Sequence, residues 1–386
     1  MMTVKWQMKK KVRTSESKYL FAAGGSWGHI GPAIAVADQL KKIDSQGEIT
    51  FVGSKSKLES AISIPYPVRK ILKAPLPRKF SINSLLFPFK FLIALFQSIF
   101  LVRKTGVVIG FGGYVSTPIY LAAKLLNKPL IIHEANALPG FANRLGRKFA
   151  TKIFTNFEGL AAQWRGVFVG IPLSASVLDL AERIRSAMEV ESRGGGNQSS
   201  ARSDKKILVL GGSQGSARIN NTLWDFLATL PADISILHAI GAGAREPIGQ
   251  RLGAFDISRY QKVSFIEDMA SAYESADLVI SRAGAVTCAE IRELGKSAII
   301  VPLSHGNGEQ QINAEELEKS GQVIVVKDED FTPGWLVANL ARALKLPHSL
   351  SEKPMLEASK IIADEIYFQG NLLNRAKNLP KDATNL

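Results

Sequence analysis

Two segments of this chain repeat one plan. Tyr19-Leu-Phe-Ala-Ala-Gly-Gly-Ser-Trp-Gly28 and Lys206-Ile-Leu-Val-Leu-Gly-Gly-Ser-Gln-Gly215 each run from a short apolar stretch through a glycine turn into a helical pattern. A short apolar run that ends in glycine reads as a buried strand. After the first turn Pro32 suits a first helical position, and Ile30, Ala33, Ile34, Ala37 and Leu40 keep helical spacing. Ile219, Leu223, Phe226 and Leu227 do the same after the second. Each segment is therefore read as the opening of a doubly wound α/β domain.

The rest of the chain supports two such domains. Strand-like runs at 49–52, 107–109, 130–132, 153–155 and 167–169 alternate with stretches long enough for helices, and 234–237, 263–266, 278–281, 298–301 and 323–326 repeat the alternation. This pattern predicts parallel sheets. At 386 residues the chain also exceeds the ~250–300 residues at which one core stops growing. The expected division is residues 1–171, 172–350 and a tail, 351–386, whose helical pattern packs back on the first domain. Gly170-Ile171-Pro172 marks the boundary, and the tract from Ser192 to Ala201 reads as a flexible insertion.

Glycines between a buried strand and a helix let backbone N–H groups and the positive helix end approach a phosphate without obstruction by Cβ. Tight strand-to-helix packing alone also explains one such turn, and explains a pair less well. A nicotinamide-binding fold expects G-x-G-x-x-G and an acidic residue ending the second strand. Here the first turn is Gly24-Gly-Ser-Trp-Gly28, and the second strand ends Phe51-Val-Gly-Ser-Lys55 with no carboxylate, which argues against an oxidoreductase.

His29 follows the first turn at the mouth of a helix, where the dipole disfavours imidazolium. A neutral ring there can accept a proton, and position alone equally suits a His that caps or packs. Glu290 lies on the first turns of a helix after the small-residue turn Arg282-Ala-Gly-Ala285. It can accept two ribose hydroxyls, or simply favour the helix dipole. Asp328-Glu-Asp330 has D-x-D spacing, but its place before Thr332-Pro333 suits turn or cap chemistry. No His spacing matches a metal motif, so neither a metal nor another cofactor is expected.

Leu85 to Val102 is the most apolar stretch, flanked or interrupted by Arg78, Lys79, Lys90, Arg103 and Lys104. Its length approaches that of a membrane span, yet Pro88, Lys90 and Gln97 interrupt it and it sits between strands of one domain. A buried core helix and a helix lying on an anionic membrane remain, and the basic flanks favour the second. A net charge of +14 favours anionic partners in general. The single cysteine, Cys288, excludes an internal disulfide framework, and no apolar core of a secretory signal follows the basic residues Lys9 to Arg13.

Seven landmarks occur in order: Gly24-Gly-Ser-Trp-Gly-His29, Gly110-Phe-Gly-Gly-Tyr114, His133-Glu-Ala-Asn136, Gly211-Gly-Ser-Gln-Gly215, Phe265-Ile-Glu-Asp-Met269, Arg282 to Glu290, and Gln310 before Asn313-Ala314. With them the chain resembles, over nearly its whole length, the MurG family of bacterial glycosyltransferases, which add GlcNAc to lipid I to make lipid II in peptidoglycan synthesis. The resemblance implies a GT-B fold, two Rossmann-like domains facing across a cleft, with UDP-GlcNAc held mainly by the second. It implies that Ile266 meets the uracil through its backbone, Glu290 the ribose and Ser213 the diphosphate. Ala285, Val286, Thr287, Gln310 and Asn136 would serve the sugar region, with Cys288 and Ala289 in the same binding segment. Ser26, Trp27 and Gly28 would serve the donor sugar or the acceptor diphosphate, with His29 as base.

The resemblance further implies an inverting transfer to the 4-hydroxyl of MurNAc, no metal, no nucleic-acid partner, and peripheral attachment to the cytoplasmic face of the plasma membrane through 78–104. Four departures stand out. Trp27 replaces a glycine, with an expected effect on the acceptor side. Ala135 replaces Gln, Ser174 aligns with a substrate-facing Arg, and Glu309 adds charge beside Gln310. Two other readings stay open: a related enzyme with another lipid or small acceptor, and a silent nucleotide-sugar-binding partner.

Overall fold

The computed structural model of the chain describes residues 17–54, 64–74, 86–192, 204–212, 214–241, 244, 256–304, 308–351 and 354–378. Ser213, Arg78, Lys79 and nearly all of the 192–201 tract lie outside them. Two parallel sheets organise the molecule.

In the first half β1 (Lys18–Ala23) leads into α1 (Trp27–Ile43), followed by β2 (Glu48–Ser54), β3 (Val68–Ile71) and α2 (Phe87–Arg103). Then come β4 (Val107–Gly112), α3 (Ser116–Leu125), β5 (Leu130–Glu134), α4 (Phe141–Gly146), β6 (Lys152–Thr155), α5 (Glu158–Trp164) and β7 (Val167–Phe168). The sheet order is β3-β2-β1-β4-β5-β6-β7. After the linking helix α6 (Ala175–Ser192), the second half gives β8 (Lys205–Leu210), α7 (Ala217–Phe226), β9 (Ile234–Ala239), β10 (Tyr260–Val263), α8 (Met269–Ser275) and β11 (Leu278–Ser281). It closes with α9 (Ala285–Glu293), β12 (Ala298–Ile300), α10 (Glu309–Glu318), β13 (Val323–Val325) and α11 (Pro333–Ala343), ordered β10-β9-β8-β11-β12-β13. The direction of winding reverses beside β1 in one sheet and beside β8 in the other. At such reversals the strand ends leave a crevice that binds ligands, and there the two glycine turns sit.

Burial on both faces explains why the strands are apolar almost throughout. Tyr19, Phe21, Phe51 and Ile109 share one core with Ile30, Val36 and Leu40 of α1. The last helix, α12 (Ala358–Asn378), adds Ala358, Ile362, Ala363 and Ile366 to that core. By contrast α6 packs Val177, Leu180 and Ala181 with Leu208 and Val279 of the second domain.

The sequence reading and the structure differ at Pro32, which lies inside α1 rather than at its first position because the helix already begins at Trp27 directly after the glycine turn, and at two strands. Strand β3 is half polar, with Arg69 and Lys70 exposed at the sheet edge, so no apolar run marks it. The expected strand at 263–266 lies three residues earlier, as β10 with exposed Gln261 and Lys262. An edge strand tolerates that polarity, and the shift releases Phe265 and Ile266 into a loop. The apolar stretch forms α2 on the protein surface. It buries Ala94, Ser98 and Val102, while Phe89, Phe96 and Phe100 are 67%, 66% and 66% exposed. No described helix is long and apolar enough to cross a membrane.

Both turns depend on backbone packing that a side chain would block. Gly113 has φ +85°, and a Cβ there would stand 2.2 Å from the Gly24 carbonyl oxygen of the first turn. Gly215 has φ +76°, with the same 2.2 Å separation from the Ile240 carbonyl. Gly113→Ala and Gly215→Ala are each expected to cost about 3 kcal/mol, seen as lowered melting temperatures. Gly334→Ala, in helix α11 where a Cβ meets nothing, leaves melting unchanged or raises it slightly. Equal melting of all three variants would contradict this reading.

Candidate functional site

A cleft of about 650 Å³ runs between the two domains, lined by both turns. Ser26, Trp27, Gly28, His29, Ala135 and Asn136 line it from the first domain. Facing them are Gly211 and Gly212 of the second turn and Arg218 of α7, with Ala285, Val286, Thr287 and Gln310. A smaller adjoining cavity of about 80 Å³ is bounded by Ile266, Val286, Thr287 and Glu290.

Helix ends give the cleft its electrostatics. Helices α1 and α9 begin at Ser26 and Gly284 with no side-chain hydrogen bond capping them, so their first N–H groups remain available and their positive ends face the cleft. On α7 Ser216 accepts from the Ile219 N–H. Arg218, exposed in the first turn of α7, adds a cation to the wall, whereas Ser174 lines neither cavity and lies 3.3 Å from the Ser176 hydroxyl. Arg282 is not a free cation: it donates to the Val301 and Pro302 carbonyls and pairs with Asp328. Asp328 is thereby an ion-pair partner, Asp330 lies in the turn that follows β13, and the cap of α11 is Thr332, which accepts from the Trp335 N–H.

His29 Nδ1 lies 3.2 Å from the Ser26 hydroxyl. Burial holds its pKa below the ordinary histidine value, partly offset by a hydrogen bond to the Gly24 backbone. The ring is therefore neutral near pH 7. Asn136 is oriented by Glu134, which is buried and accepts from the Asn136 N–H at 3.0 Å, the Asn143 amide at 3.0 Å and the Gly140 N–H at 3.2 Å. Burial raises the Glu134 pKa, and these donors pull it back.

Glu290 is buried on α9 at a spacing that puts it beside Val286 and Thr287. Tyr273 donates to its Oε2 at 2.9 Å. Desolvation pushes the Glu290 pKa up to about 7, with the tyrosine bond opposing the rise. The carboxylate is thus held near its titration point, ready to be charged by any ligand that donates hydrogen bonds to it.

Two expected site residues line neither cavity. Cys288 and Ala289 turn to the opposite side of α9, buried in the second core at 8% and 3% exposure, and burial pushes the thiol up to about 12. A helix that shows 286, 287 and 290 to one face must show 288 and 289 to another. Ser213 lies outside the described residues. Trp27 lines the cleft and also meets the second domain, its ring packing edge-on against Phe265 at 5.8 Å. Sequence reading missed Tyr273, the Glu134–Asn143 network and Arg218. The tyrosine and asparagine contacts join residues from different elements with no motif between them, while Arg218 was open to notice as a cation three residues past a glycine turn.

Because the folded Glu290 pKa of about 7 exceeds its ordinary 4.5, the folded protein binds this proton more tightly. The stability it contributes is full below pH ~4.5 and is lost as pH rises to ~7. Glu290→Gln is thus expected to stabilise the ligand-free protein by about 3 kcal/mol at pH 8 and by nothing at pH 4, measured by denaturant unfolding. A difference that does not shrink on acidification would contradict it.

Residues 19–155 match the glycosyltransferase family 28 N-terminal domain, and 206–366 match the glycosyltransferase family 28 C-terminal domain. The UDP-N-acetylglucosamine–N-acetylmuramyl-(pentapeptide) pyrophosphoryl-undecaprenol N-acetylglucosamine transferase of Streptomyces avermitilis is 37% identical over 340 residues, 86% of this chain and 91% of that one. Its namesake from Corynebacterium diphtheriae is 36% identical over 371 residues, 91% and 96% of the two chains. Among solved structures, Acinetobacter baumannii MurG superposes with a TM-score of 0.63 at 27% identity, covering 92% of this chain and 99% of that one.

Proposed function

The chain belongs to glycosyltransferase family 28, and from that premise we propose that it transfers GlcNAc from UDP-GlcNAc to the MurNAc 4-hydroxyl of lipid I, making lipid II with inversion at the anomeric carbon. One observation carries the reading. The cavity holding Ile266 and Glu290 opens beside a cleft whose other wall presents a neutral His29.

In this mechanism the uracil meets the Ile266 backbone and the ribose hydroxyls donate to Glu290, which becomes fully charged as they bind. The diphosphate lies along the glycine turn of the second domain, where Ser213, the uncapped start of α9 and Arg218 offset its charge. Asn136, Gln310, Ala285, Val286 and Thr287 border the sugar. The acceptor hydroxyl oxygen attacks the anomeric carbon while UDP departs from the opposite face. The neutral ring of His29, held beside the Ser26 hydroxyl, takes the hydroxyl proton on its unprotonated nitrogen. Charge on the leaving diphosphate is met by helix ends and side chains of the chain itself, and no covalent intermediate forms.

Purified protein with radiolabelled UDP-GlcNAc and lipid I is expected to yield labelled lipid II. His29→Ala is expected to lower turnover by about 10²- to 10⁴-fold, the span of general-base assistance, without abolishing UDP binding. UDP-GlcNAc binding without any labelled lipid II in the wild type would favour a silent binding partner.

The exposed stripe of α2 supports peripheral attachment to the cytoplasmic face of the plasma membrane. Phe89, Ile93, Phe96 and Phe100 follow helical spacing along it, Arg103 continues the stripe, and Lys104 follows. Insertion of the rings to the acyl boundary with cations at the headgroups fits that pattern. Phe96→Glu/Phe100→Glu is expected to cut cosedimentation with anionic vesicles at low salt. Equal binding of the wild type to neutral and anionic vesicles would remove the electrostatic part of this account.

A further inference from the structure

Trp27 occupies a position unlike that of any other first-domain residue. It lines the interdomain cleft, and it also closes the small cavity of Ile266 and Glu290, whose every other lining residue belongs to the second domain. Its indole lies back along α1, where a Cβ on Gly31 would come within 3.1 Å of the ring. The absence of a side chain at 31 lets it lie there. From that seat it meets Phe265 at 5.8 Å with the planes at 71°, the edge-to-face geometry that aromatic pairs favour. Phe265 itself belongs to the loop released when β10 ends at Val263.

We infer that Trp27 is the first domain's contribution to the nucleoside pocket, a binding residue that completes the wall against which the base packs. This rests on the donor reading given above. The effect of the large ring at this turn therefore falls on the nucleotide rather than on the acceptor.

The test is calorimetric titration of UDP alone, without sugar or acceptor, into the full chain. Trp27→Gly removes the aromatic ring on which the base packs and is expected to weaken UDP about ten-fold. Trp27→Phe, which keeps an aromatic wall, stays within about three-fold of the wild type by the same reasoning. The melting temperatures of the ligand-free proteins establish that each variant is folded. Phe265→Ala combined with Trp27→Gly is expected to cost less than the sum of the two single changes, because the residues form one wall. Wild-type affinity for UDP in Trp27→Gly would overturn the inference while leaving the donor site standing. Failure of the wild type to bind UDP at all would overturn the donor reading and this inference with it.

Discussion

The architecture rests on close approach of bare backbone at the two glycine turns. Gly113 against the Gly24 carbonyl, and Gly215 against the Ile240 carbonyl and Gly241, leave no space for a Cβ. These contacts let each first strand hand over to its helix at the point where the sheet changes direction of winding. The start of α1 and the second glycine turn can then share one cleft. Uncapped N–H groups of α1 and α9 supply a positive field there. Everything chemically interesting lies within reach of those turns.

Burial then tunes the two titratable groups in opposite ways. Desolvation keeps His29 neutral, so that it can receive a proton, and lifts Glu290 to about 7, so that it gains charge only when donors arrive. The same physical cause leaves a neutral imidazole on one wall and a readily charged carboxyl on the other, which suits the roles proposed for them. Glu290 carries a stability cost above pH 7, as expected for a carboxylate kept for binding rather than for the fold.

Local pattern made much of this legible. The paired strand–glycine–helix segments identified both domain openings, and periodicity located α1, α7 and most strands to within a residue or two. Glu290 and His29 were visible because each follows directly on a recognisable turn. What stayed hidden depends on distance or on edges. Strand β3 and the true register of β10 sit at sheet margins, where burial imposes no apolar run. Tyr273 reaches Glu290 from another helix. Cys288 and Ala289 were grouped with their neighbours by motif, although helical geometry turns them into the core. The partner of Trp27 could not be read at all, since Phe265 belongs to the other domain.

The central claim is that one nucleotide sugar spans both domains, with its base beside Ile266 and its sugar toward His29. A crystal structure of the protein with UDP-GlcNAc tests it most directly. The account predicts uracil in the cavity between Ile266 and Trp27, ribose hydroxyls on Glu290, diphosphate along the second glycine turn, and the anomeric carbon facing the first. A nucleotide bound outside that cavity, or one whose sugar points away from His29, would contradict it.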